Sequence, residues 1–374
     1  MLRIISYNII YDRILSKMYT EDSLLLKRYH FPKIDVKGSD ELRRLYSYFK
    51  NIELLDIEKK GDFLTENVSN VSLDNPFITE EVLNDIKLIK KKTSGSFKIG
   101  KIKITFTFYY KSSENVEKLI NETIDLTHFL FSIYPITKDI EINFYLSDIK
   151  KELPDFFNEG AFIPGKAEAN SGSCSRGGDK SIVNIWRKEE ILKVMVHELI
   201  HALCIDEFND SPDIIHHYQK KYQISSDRIN TNEAYTEIWA NLINCFWISQ
   251  KVKKKPYDLF KTFIALEKEH CIFQTSKIFH LTKLNDKTID INAETNILAY
   301  YFIRCELFKE LTKFLKFCRE SNKDYLKINP KKWFSLLRKN TLLKKNDKKV
   351  KRLKKTDFKY KTTRMTAIEY ELFY

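Results

Sequence analysis

The chain is predicted to be an α+β protein, on three observations. Alternating stretches rich in β-branched and aromatic residues occur up to about residue 187. One helix near the middle carries ionisable groups inside an otherwise apolar run. Beyond it, helical periodicity dominates. That order implies a small mixed sheet with a pivotal helix, then an all-helical half. The expected divisions are an N-terminal region over 1–95, a main domain over 96–328 and a basic C-terminal segment over 329–374.

Residues 1–95 mix short apolar runs with charged turns and carry no readable motif. The segment Lys90-Lys-Lys-Thr-Ser-Gly-Ser96 has the composition of a linker. Phe97 to Tyr110 alternates and reads as a strand or hairpin, and Asn115 to Tyr134 has helical spacing. Asp139 to Leu146 reads as a second strand. Five of the nine glycines fall between Asn158 and Lys180, so the backbone there needs unusual dihedrals or close approach to a neighbour. Ser181 to Arg187 reads as a short strand and Lys188 to Ile205 as the pivotal helix. Further helices are expected over about 231–250, 255–272, 291–318 and 330–338.

Composition narrows the class. The 374 residues are 43% hydrophobic with 13% aromatic, which suits a globular chain and not a disordered one. The net charge is +13, and the stretch Lys331–Arg364 holds fifteen Lys or Arg against two Asp, so it carries the whole excess. Such a segment attracts nucleic acid, anionic lipid or an acidic protein, or is simply a solvated arm. The six cysteines form no CxxC pair, which favours free thiols and a cytoplasmic, non-secreted protein. The N-terminal residues lack the apolar core of a signal peptide, and no stretch suits a membrane span.

The pivotal helix reads Val194-Met-Val-His-Glu-Leu-Ile-His-Ala-Leu-Cys-Ile205. Burying its ionisable groups unpaired is costly, and a metal ion would compensate them directly. Positions i and i+4 of a helix lie about 40° apart around the axis and about 6 Å along it. His197 and His201 therefore point the same way and suit one tetrahedral Zn2+, while Glu198 is turned to reach a water at the metal without ligating it. A buried His–Glu–His cluster satisfied by hydrogen bonds is the rival reading. A third ligand is needed. The metzincin arrangement would place Gly at 204 and His at 207, where this chain has Cys204 and Glu207. Downstream, Glu233, Glu237, Asn241 and Asn244 form a polar stripe on a largely apolar helix. Glu233 is assigned as third ligand and Glu237 as an acceptor for a ligand imidazole N–H. Glu237, His216 and His217 are the other candidates for ligand, and helix capping from Asn230 is the other role open to Glu233.

The pattern His197-Glu198-x-x-His201 followed by Asn232-Glu233-x-x-x-Glu237 resembles the gluzincin metallopeptidases, the group containing thermolysin. The resemblance spans roughly 181–245. It implies a zincin-like two-lobe catalytic domain with one zinc ion, Glu233 as ligand and Glu237 supporting a ligand histidine. The stretches IVNIWRKEEILKVMVHELIHAL and TNEAYTEIWANLIN also resemble uncharacterised HExxH proteins of large DNA viruses. In gluzincins the strand before the active-site helix lies at the sheet edge and pairs with extended substrate, a place that Ser181–Arg187, with Asn184, would take here. Asn170 and Gly172, in the loop Asn170-Ser-Gly-Ser173, are candidates for further substrate contacts. The GxMEN motif of the aminopeptidases is absent, so amino-terminal specificity is not implied.

The resulting expectation is a peptidase acting on peptide or protein substrates, with Glu198 as general base. Tyr300 or Tyr301, or else His270 or His280, would supply a donor to the developing oxyanion. His30 and His128 stand alone and read as structural or surface residues. Two rivals remain at this level: an inactive, zinc-stabilised structural or virion protein, and a nucleic-acid-associated protein acting through 331–364.

Overall fold

A computed structural model of the protein describes residues 39–57, 62–112, 114–155, 162–252, 255–282, 288–339 and 361–373. It is a mixed α/β fold. One six-stranded mixed sheet is surrounded by eleven α-helices among the described residues.

The chain enters as α1 (Asp40–Lys50), capped by Ser39, whose hydroxyl accepts from the Leu42 N–H. Its buried face, Leu42, Leu45, Tyr46 and Phe49, belongs to the same apolar core as the later helices. Strand β1 (Leu64–Asn67) and helix α2 (Glu80–Ile86) follow, then β2 (Lys91–Ile99) and β3 (Ile102–Tyr110), an antiparallel pair turning at Gly100 with φ +58°. The linker expected over 90–96 is therefore strand, and the boundary drawn at 95/96 falls inside β2. Gly95 stands opposite Phe106, and a Cβ there would lie 2.7 Å from the Phe63 ring. The glycine lets an aromatic lie flat on the strand; it does not loosen the chain.

Helix α3 (Glu117–Ile133) carries the chain to β4 (Asp139–Tyr145), parallel to β3. After α4 (Lys166–Ala169) come β5 (Gly172–Arg176) and β6 (Lys180–Ile185). The strand order is β1-β2-β3-β4-β6-β5, with β6 parallel to β4 and antiparallel to β5. This corrects one expectation. β6 is an inner strand, hydrogen-bonded on both sides, and the edge is β5, which Ser and Gly had disguised as a loop.

Helix α5 (Ile191–Ala202) follows, with all twelve residues buried. The helical half comprises α6 (Pro212–Tyr222), α7 (Thr231–Gln250), α8 (Pro256–Thr282), a π-helical turn (Leu298–Ile303), α9 (Arg304–Lys309), α10 (Leu311–Ser321) and α11 (Pro330–Arg338). The single helix expected over 291–318 is thus broken: 291–295 is turn, and the π-helical turn and the α9–α10 junction interrupt the remainder.

The basic segment also departs from expectation. α11 anchors its start through the fully buried Trp333, whose indole N–H donates to Thr231 Oγ1 at 3.0 Å. Its far end, 361–373, returns to the core, burying Met365, Ala367, Ile368 and Leu372. Arg364 is buried in an ion pair with Glu369 and lies 3.6 Å from Glu189. Neither end is a solvated arm, because each has apolar side chains to bury. The Lys-rich stretch 340–360 lies outside the described residues, as does His30. No described helix is long and apolar enough to cross a membrane, and all six cysteines are free thiols.

Candidate metal centre and cleft

Two buried helices and one loop build the centre. His197 and His201 leave α5 one turn apart, with ring centroids 4.8 Å from each other. Glu233 comes from the first turn of α7, which packs across α5. The capping role open to Glu233 is not taken. Asn230 sits at φ +54° with its amide on Asn296, and Asp210 accepts the Thr231 N–H at 2.9 Å.

The three donor atoms converge. His197 Nε2 and His201 Nε2 are 3.1 Å apart, and Glu233 Oε2 lies 3.3 and 3.4 Å from them. Behind the rings, His197 Nδ1 is 2.8 Å from Glu237 Oε2 and His201 Nδ1 is 2.7 Å from Asp206 Oδ2. A carboxylate accepts only, so each Nδ1 carries a proton, and in the neutral ring each Nε2 then presents a lone pair, which either a proton or a metal ion can take. With both rings neutral, three acceptor atoms thus face one point, and among the described residues the donor beside them is the Tyr300 hydroxyl on Glu233 Oε2. That arrangement calls for a cation, and His197, His201 and Glu233 form a group that could hold a metal ion. The same demand appears in the titrations. Burial would push the His201 imidazole down, yet the Asp206 and Glu233 carboxylates hold it well above its ordinary value. Burial would likewise raise Glu233, but the two histidines hold it far below the usual carboxylate range.

Glu237 is 1% exposed and holds two cations besides its histidine. Its Oε1 pairs with Lys193 and lies 3.1 Å from Arg304 Nη1. Arg304, fully buried, also donates to Asn241 Oδ1 and to the Met365 carbonyl. Asn241 and Asn244, expected on this polar stripe, donate to the carbonyls of Met365 and Ile368. The C-terminal segment therefore closes the rear of the centre. It also fixes the start of α5, where Glu190 at φ +60° accepts the N–H groups of Met365 and Thr366.

In front, a cleft of about 440 Å3 opens onto the three donors. Glu198 lines it, and burial raises its carboxyl above the usual value. Gly172 of β5 lies against it: a Cβ there would come 2.7 Å from Glu198 Oε1 and 2.9 Å from Val194 Cγ1. Asn170 is on the wall, its Oδ1 accepting from Thr295. Tyr300 reaches in from the π-helical turn and donates to Glu233 Oε2 at 3.2 Å, with its ring 6.1 Å from that of His197. The widened turn aims one tyrosine into the cleft and the next away from it.

Two expected residues are elsewhere. Tyr301 is buried with its hydroxyl on the Thr363 carbonyl at 2.7 Å. Asn184 lies on the opposite sheet face, accepting from Asn143 at 3.3 Å, because side chains alternate and its neighbours Val183 and Ile185 take the face toward α5. His270 is buried beside Gln274, His216 and His217 sit on α6, and His128 contacts the Leu55 carbonyl; none reaches the cleft. Asp206 was missed. It lies past the end of α5, where Cys204 at φ +54° turns the chain back and Ile205 N–H bonds the Ile200 carbonyl. The signal available was an acid standing next to an apolar run.

Comparison with known proteins adds little. No family model matches the chain, and no solved structure does. An uncharacterised protein of Acanthamoeba polyphaga mimivirus is 24% identical over 151 residues, which are 39% of this chain and 36% of that protein. The match therefore spans about a third of the viral protein's length.

Proposed function

We propose that the protein is a zinc-dependent peptidase of the gluzincin type, with His197, His201 and Glu233 as ligands and Glu198 as general base. The observation that carries this reading is the set of three acceptors facing one point beside a buried Glu198 and a strand edge, both without a partner among the described residues. Zinc fits their spacing. For a tetrahedral ion with bonds of about 2.0–2.1 Å, neighbouring ligand atoms stand about 3.3–3.4 Å apart. The separations here are 3.1, 3.3 and 3.4 Å. Calcium, with oxygen ligands at about 2.3–2.6 Å, would need a wider and more anionic set.

When bound, zinc would polarise the scissile carbonyl and acidify a water molecule. The residues of the chain do the rest. Glu198, with its proton affinity raised by burial, takes the water proton and passes it to the leaving amine. Tyr300 turns its hydroxyl from Glu233 to the developing oxyanion. The edge strand β5 offers main-chain groups to an extended peptide, and Gly172 lets that strand approach Glu198. On this reading the sheet half and the helical half would be the two lobes of a zincin-like domain, with the cleft between them.

The test is Glu198→Gln. The variant is expected to bind zinc as wild type does while losing peptide hydrolysis by about 10²–10⁴-fold. Equal turnover would remove Glu198 from the mechanism. Chelator-insensitive turnover, or none in zinc-loaded wild type, would favour the rival reading of a structural site.

A further inference from the structure

We infer that the cleft selects a substrate carboxylate, held by Arg176 two to four residues from the bond that is cut, with Arg228 as a second guanidinium on the cleft wall. The inference rests on the peptidase reading and deepens it.

The argument starts from strand parity. Gly172, Cys174 and Arg176 stand opposite Ile185, Val183 and Ser181, and these three inner-strand residues are buried on the α5 side, with Ser181 Oγ on the Ala202 carbonyl. Gly172 confirms the direction by abutting Glu198. Arg176 therefore leaves the edge strand on the same face as Glu198, four residues further along. At about 3.3 Å per residue its Cα is roughly 13 Å from that of Gly172, toward the C-terminal end of α5. Arg228 comes from the opposite wall. Its position is set by hydrogen bonds between connectors: Asn292 Nδ2 donates to the Arg228 carbonyl at 2.8 Å and Asn230 to Asn296 at 2.7 Å. Both arginines line the cavity that holds Glu198, and both are exposed to it.

Neither guanidinium forms an ion pair among the described residues. Asp206, whose charge Arg176 feels most, turns its Oδ2 to His201 and Thr236 and leaves its Oδ1 buried without a hydrogen-bond partner among the described residues, while Arg176 hydrogen-bonds the Cys204 sulfur. The other acid of the wall, Glu294, lies at the far end against Gly165 and the Lys166 N–H. The cleft thus carries two planar donors that form no ion pair among the described residues, and Arg176 stands at the end away from Glu294. A guanidinium fork matches a carboxylate with two parallel hydrogen bonds, which is what Arg176 offers to a substrate lying along the cleft.

The carboxylate has two sources, an Asp or Glu side chain or the C-terminal carboxylate of a peptide. Zinc-loaded protein is given a mixed peptide library, once with free and once with amidated C-termini, and products are mapped by mass spectrometry. Acidic residues are expected to be enriched at least about fivefold at one position two to four residues from the cut, on one side only. Enrichment that survives amidation assigns the side chain; cutting near the C-terminus that amidation abolishes assigns the chain end. Arg176→Glu should reverse the preference toward a cationic group at that position and raise KM for carboxylate-bearing peptides about tenfold with zinc content unchanged, and Arg228→Glu should move KM in the same direction. Chelator-sensitive cleavage with neither an acidic preference nor a loss on amidation, or a preference unchanged in both variants, overturns the inference and leaves the peptidase reading standing. If wild type cuts nothing, that reading falls. Fluorescence anisotropy of acidic against neutral labelled peptides on the zinc-loaded Glu198→Gln protein then decides the carboxylate site separately, and equal affinities would remove it.

Discussion

Replacing Glu237 by Gln tests how the centre is held from behind. The carboxylate accepts from His197 Nδ1 on one oxygen and from Lys193 and Arg304 on the other. An amide cannot do both. With its oxygen toward His197, its NH2 group faces two cations. With its oxygen toward Lys193 and Arg304, its NH2 faces Nδ1 and drives the imidazole proton onto Nε2, where the metal must bind. Lys193 is 3% exposed and Arg304 fully buried, so water cannot replace the lost charge. Removing one member of a buried pair costs about 3–5 kcal/mol, and Arg304 keeps Asn241 and the Met365 carbonyl, which points to the lower end, about 3 kcal/mol. Loss of the outer partner of a ligand histidine weakens metal binding by about 10–100-fold. Urea unfolding in excess chelator reads the first quantity and zinc competition against a chromophoric chelator reads the second. An unchanged urea midpoint together with wild-type zinc affinity would refute this role for Glu237.

Three further outcomes are expected. Gly172→Ala forces a Cβ to within 2.7 Å of Glu198 Oε1, so zinc affinity should hold while turnover falls by about 10²-fold, the usual consequence of a misplacement near 1 Å; equal kcat would show that the strand simply yields. Asp206→Asn removes the negative charge behind His201 and should weaken zinc binding about tenfold, measured by the same competition. Glu267, buried, has its carboxyl pushed up to about 7. Between the ordinary value near 4.5 and 7 the unfolded chain ionises it and the folded chain does not, so wild type should lose roughly 3 kcal/mol relative to Glu267→Gln across that window and no more above it. Parallel stability curves for the two proteins from pH 4 to 8 would exclude a shifted Glu267.

The donors of the centre were legible because their chemistry is local. His197 and His201 share a helix face by spacing alone, and Glu233 and Glu237 stand out as acids in an apolar helix. The tyrosines were not separable, since a regular helix over 297–303 gives no hint of the π-helical turn that divides Tyr300 from Tyr301. The edge strand was misplaced for a different reason. Gly172-Ser-Cys-Ser-Arg176 has no β-branched residue, and strand order is decided by pairing across long sequence distances that periodicity does not encode. The C-terminal segment was obscured by charge. The lysines before it dominate the composition, while Met365, Ile368 and Leu372 carry an apolar signal too short to compete.

Burial of 361–373 behind Glu237 has a consequence for biogenesis. Both helices that contribute a donor are synthesised more than a hundred residues before the peptide that steadies Arg304 and holds Glu190 at the start of α5. A growing chain on the ribosome carries the histidines early but lacks the backing that orients them. A centre able to hold an ion is therefore backed only after 361–373 has been made, and a polypeptide stopped short of that segment would be left with an unsupported centre.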